Sequence, residues 1–61
     1  MITELRKSAG LTQKALADAS GINIRQIQKI ESGEVQIGNI TLKNAKALAD
    51  ALHVSIDSLL N

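Results

Sequence analysis

No cysteine, aromatic residue or proline occurs in this chain of 61 residues, and those absences decide how it can be stable. Without cysteine there is neither a disulfide staple nor a thiolate zinc site. A chain this short buries only about 60% of the surface it exposes when unfolded, so its apolar groups must pack economically. With no Phe, Tyr or Trp, that packing falls to Leu, Ile and Ala. Helices meet no obstacle, because the residue that lacks a backbone donor and clashes with the preceding turn is missing. The expectation is one all-α domain over residues 1–61.

Apolar spacing, glycines and capping residues divide the chain into five helical segments. The first runs from about Ile2 to Ser8, with Ile2 and Leu5 on one face, and stops at Gly10. Thr12 stands as the N-cap of a second, about Gln13 to Ala19, which carries Leu16 inward and ends at Gly21. Asn23 caps a third, about Ile24 to Glu31, whose inward pair is Ile27 and Ile30; Gly33 ends it. Residues Glu34 to Ile40 have no helical period, and the Val35-Gln36-Ile37 alternation is too short for a strand. Thr41 caps a fourth helix to about Leu52, with Leu42, Ala45, Leu48, Ala49 and Leu52 at helical spacing. Ser55 opens a last short helix carrying Ile56, Leu59 and Leu60.

Seven basic residues face six acidic ones, a net charge of +1. Overall charge therefore does not point to nucleic acid, and any such case rests on where the cations sit. No stretch is long and apolar enough to span a membrane. Met1-Ile2-Thr3-Glu4 does not read as a signal peptide, so the cytoplasm is the default compartment. His53 is the sole histidine and cannot assemble a metal site alone. No cofactor or small-molecule ligand is implied.

Across the second and third segments, Gln13, Ala17, Gly21, Ile27 and Ile30 form a frame for two closely crossing helices. Ala17 is small at the crossing, and Gly21 supplies the short turn. Ile27 and Ile30 anchor the third segment inward. Its other face carries Asn23, Ile24, Arg25, Gln28 and Lys29. These are mostly donors and cations, suited to base edges and phosphates in a major groove.

Over nearly its whole length the chain resembles the lambda-repressor/Cro-like (Xre-type) helix-turn-helix domains. The likeness lies in Gly10-Leu11-Thr12-Gln13, Leu16-Ala17, Gly21, and Ile27 through Ile30-Glu31-Ser32-Gly33. It resumes at Thr41-Leu42, Leu48-Ala49, Leu52, Val54-Ser55-Ile56-Asp57 and Leu59-Leu60. The resemblance implies a compact five-helix domain whose third helix enters the major groove of double-stranded DNA. It gives Gln13 a phosphate contact and makes Asn23, Ile24, Arg25, Gln28 and Lys29 the DNA-facing residues. Lys43 falls where members often touch the DNA backbone, against an exposed neutral role for the same lysine. Arg6 and Glu31 fall where the family ties its first helix to the end of the third. Homodimers on palindromic operators are usual in the family, which admits either a minimal dimer or a fragment of a longer regulator here.

The chain departs from the family pattern in several places. The segment from Glu34 to Ile40 is longer than the common form and replaces basic positions with Glu34, Val35 and Gln36. Ser20 replaces an apolar residue, which is expected to loosen the turn slightly. Ile24 replaces a polar or basic reader; the plainer expectations are an exposed aliphatic of no consequence or packing against Asn39-Ile40, and the sharper one is that it meets a thymine methyl. His53 stands where glycine is more usual, and is expected to cap carbonyls or point to solvent. Leu59 and Leu60 read as core or terminus first, and as a dimer seam second.

The leading function is a sequence-specific DNA-binding transcriptional regulator of repressor type. The alternative is a protein-interaction module of the same fold, an antitoxin-like or anti-repressor partner, which the low charge and acidic loop favour. An enzyme is the weakest option, since no catalytic constellation is recognisable.

Overall fold

A computed structural model describes residues 2–60; Met1 and Asn61, the ends of the expected domain, lie outside the described residues. Five α-helices follow one another: α1 Ile2–Ser8, α2 Gln13–Ser20, α3 Ile24–Ser32, α4 Leu42–Leu52 and α5 Ile56–Leu60. Among the described residues there is no strand.

Each helix from α2 onward begins where a side-chain oxygen takes up an amide that the helix leaves unpaired. Thr12 accepts from Ala15 N–H (3.0 Å), Asn23 from Arg25 N–H (2.8 Å) and Thr41 from Asn44 N–H (3.1 Å). Ser55 does the same for Ser58 N–H at 3.2 Å.

The buried faces converge on one aliphatic cluster. Leu16 of α2, Ile27 of α3 and Leu48 of α4 are fully buried at its centre. Ile2, Ala17, Ile22, Ile30, Ala49, Leu52 and Leu59 surround them. Burying each large aliphatic side chain is worth roughly 1.5–3 kcal/mol, so these few residues carry most of the favourable packing.

Leu42 corrects the expected stripe of α4: it is 73% exposed. Ala45, Leu48, Ala49 and Leu52 do face inward. Leu42 sits at the edge of that stripe and in the first turn, where the helix has not yet reached the core.

The 34–40 segment contains a single 3-10 turn, Ile37–Asn39. Asn39 N–H donates to the Gln36 carbonyl at 2.9 Å. Val35, Ile37 and Ile40 lean on the core while Gln36 stays exposed. The alternation thus reports real in-and-out placement, without a strand.

At the end of α4, His53 takes the left-handed conformation, φ 59°. Its backbone N–H, not its imidazole, meets the helix: it donates to Asp50 O (3.2 Å), and Val54 N–H donates to Ala49 O (3.0 Å). That pair of bonds is a Schellman ending. A residue with a Cβ pays about 1–2 kcal/mol for this conformation, whereas glycine adopts it freely but gains entropy when unfolded. His53→Gly is therefore expected to stabilise the chain by about 1 kcal/mol. In thermal unfolding followed by circular dichroism, the midpoint should rise by about 4–8 °C; a lower midpoint would contradict this account.

Candidate nucleic-acid interface

The turn between α2 and α3 fixes how the two helices cross. Gly21 has φ 72°, and its N–H donates to Ala17 O at 2.9 Å. Ser20, expected to loosen this turn, instead ties it: its Oγ accepts from Ile22 N–H (3.2 Å) and donates to Ala17 O (3.4 Å). The hydroxyl gives Ile22 N–H a partner that an apolar residue could not supply. Ile22, the next residue, then enters the core.

With Ile27 and Ile30 buried, α3 turns Ile24, Arg25, Gln28 and Lys29 outward. Arg25, Gln28, Lys29 and Ser32 line one shallow groove along the helix. Ile24, 36% exposed, lies instead in a second depression beside Lys14, Ala17 and Asp18 of α2, with Gly21, Ile22 and Asn23. The outward face of α3 therefore has a cationic strip and an apolar corner.

The cations differ in how free they are. Arg25 and Lys43 have no ion-pair partner among the described residues. Lys29 Nζ lies 3.8 Å from Glu34, a residue of the acidic loop. Lys14 pairs with Asp18 at 3.2 Å, and Lys46 with Asp50 at 3.3 Å, both along one helix. Asn23 uses its side-chain oxygen to cap α3, which leaves both N–H bonds of its amide nitrogen to donate elsewhere.

Gln13 is not on this strip. It is half-buried at the start of α2, and its Nε2 donates to Glu31 Oε1 at 2.9 Å. Glu31 also accepts from Arg6, whose Nε is 2.7 Å from Oε2 and whose Nη2 is 3.3 Å from Oε1. Arg6 Nη1 donates to Leu11 O at 2.8 Å. The Arg6–Glu31 tie thus gains two members, Gln13 and Leu11, that sequence alone does not reveal. No periodic signal links a residue to one eighteen positions away.

Burial pushes the Glu31 carboxyl up, but hydrogen bonds from Arg6 and Gln13, the Arg6 charge and a hydrogen bond from Thr3 outweigh it. Its pKa is held below the ordinary glutamate value. A carboxyl lowered by folding stabilises the fold above its unfolded pKa, and that stabilisation is lost as pH falls through the folded value. The melting temperature should therefore drop as the pH is taken below about 4.3, and drop less steeply in Glu31→Gln. Parallel acid profiles for the two proteins would rule Glu31 out as a source of the loss.

A family model described as "Helix-turn-helix" matches residues 2–59. The chain belongs to the helix-turn-helix family. Within it, the chain is a helix-turn-helix domain of the Xre/Cro type. It is similar to the cryptic phage CTXphi transcriptional repressor RstR of Vibrio cholerae serotype O1, at 44% identity over 54 residues. That match covers 88% of this chain and 46% of the relative, so this helix-turn-helix chain spans about half the length of the curated relative it matches. No solved structure matches it. Among the described residues no helix is long and apolar enough to cross a membrane.

Proposed function

We propose that α3 enters the major groove of double-stranded DNA and that the chain acts in the cytoplasm as a repressor-type transcriptional regulator. The observation carrying this reading is the division of α3. Ile27 and Ile30 are buried, while Ile24, Arg25, Gln28 and Lys29 form an exposed face. Similarity to a protein named a transcriptional repressor supports the direction of regulation.

In this reading Arg25 and Gln28 meet base edges, where the paired donors of the guanidinium match guanine and the donor and acceptor of the amide match adenine. Ile24 meets a thymine methyl. Lys29, Lys43, Asn23 and Gln13 hold phosphates, which set the register without reading sequence. A homodimer on a palindromic operator would place two copies of α3 about 34 Å apart.

Selection of binding sites from random duplex DNA tests the proposal, run on the native chain and on Ile24→Ala. A motif should be enriched at low salt, and Ile24→Ala should relax one position of it. No enriched motif would overturn DNA reading; an unchanged motif in Ile24→Ala would remove the methyl contact alone.

A second reading has its own observation. Lys14, Lys29 and Lys46 are each paired with a carboxylate of the same chain, which lowers the positive potential available to DNA. A protein-interaction module would then show flat, weak DNA binding. The DNA reading requires affinity to fall steeply with salt, because each neutralised phosphate releases counterions.

A further inference from the structure

We infer that Glu31 is a positioning residue for DNA binding, holding the Gln13 amide in one orientation so that a phosphate meets a pre-set donor. The inference rests on the proposal above that Gln13 contacts phosphate.

The carboxylate is well placed for this role. Its side chain is only 8% exposed, and Arg6, 11% exposed, grips both of its oxygens. Arg6 is in turn anchored on the Leu11 carbonyl, two residues before Gln13. Glu31 is therefore fixed with respect to α1, to the entry of α2 and to the last turn of α3.

A carboxylate can only accept hydrogen bonds. The Gln13 side chain must therefore present its nitrogen to Glu31, as the 2.9 Å contact has it. Turning the amide over would set two oxygens against each other. The Nε2 group has two N–H bonds, of which Glu31 takes one. A phosphate is likewise an acceptor, so the second N–H of the same nitrogen is the group it requires. Without Glu31 the flexible Gln13 side chain would have to be ordered when DNA binds. Pre-ordering one such side chain is worth about threefold to tenfold in affinity. The Arg6 guanidinium offsets the charge of the carboxylate, which limits its repulsion of the DNA backbone.

A double-mutant cycle on the duplex enriched by site selection tests this. Native chain, Gln13→Ala, Glu31→Gln and the double variant are titrated at one salt concentration, below the lowest melting temperature of the set. Gln13→Ala is expected to weaken binding by about threefold to tenfold in the native background and to have little effect in Glu31→Gln. Equal losses in both backgrounds would overturn the positioning role while leaving the phosphate contact standing. No loss in either would overturn the phosphate contact as well. Should Glu31→Gln fail to fold, NMR of the native chain decides. The Gln13 side-chain amide protons should stand apart from those of the exposed Gln28 and Gln36 and shift as Glu31 is protonated. Signals coincident with those two would overturn the proposal.

Discussion

Arg6→Ala is expected to unfold a large part of the population at moderate temperature, without changing which DNA the folded remainder prefers. Removing Arg6 strands the Glu31 carboxylate, 8% exposed, in the last turn of α3. A negative charge there already opposes the helix dipole. Deleting one partner of a fully buried pair costs about 3–5 kcal/mol. This partly buried tie, with Gln13 still bonded to Glu31, should lose about the lower end of that range. A chain of this length has roughly 3–9 kcal/mol of total stability, so the loss is comparable with the whole. The Leu11 carbonyl also loses the donor that ties α1 to the entry of α2. Circular dichroism should show a melting temperature lower by about 12 °C or more. Site selection in the cold should return the native motif. Equal melting temperatures would show that the tie is not structural.

Arg25→Ala should do the reverse. Arg25 is exposed and has no ion-pair partner among the described residues, so its loss should change stability by no more than about 0.5 kcal/mol. A base contact is worth about 1–3 kcal/mol, equivalent to roughly a 5- to 150-fold loss of affinity at constant salt. Binding titrations on the enriched duplex and on single-base variants would separate two mechanisms. A base reader relaxes discrimination at one position. A phosphate contact weakens all sequences alike and lowers the salt slope by about one. Arg25→Lys should not restore a base contact, because an ammonium cannot reproduce the planar fork. Undiminished affinity in Arg25→Ala would remove this residue from the interface.

Much of this was legible in the residues themselves. Thr12, Asn23, Thr41 and Ser55 announce the starts of four helices because capping is local chemistry, settled within three residues. The buried pair Ile27 and Ile30 follows from helical spacing, and with it the exposed face of α3. What periodicity cannot give is where a neighbouring element stops, and so Leu42 sits in solvent despite its place in the pattern. Nor does it anticipate hydrogen bonds between distant side chains, such as Gln13 with Glu31. Ser20 was misleading for a related reason. Its hydroxyl acts on the backbone of its own turn, an effect that a comparison of hydrophobicity at that position overlooks.

The self-contained caps also bear on how quickly the chain finds its fold. Each of α2 to α5 carries its own start signal, and every connection between helices except 33–41 is short, so much of the structure can form from neighbours in sequence. Helical domains built that way fold on the microsecond to millisecond scale. The Arg6–Glu31 tie, like the packing of α2 on α4, joins distant parts of the chain, here residues 25 positions apart, and requires a loop to close before it returns any stabilisation. Its formation is expected late in folding, in which case Arg6→Ala should speed unfolding more than it slows folding in stopped-flow measurements. On that expectation, the contact that secures the native state would also set how long a molecule stays in it.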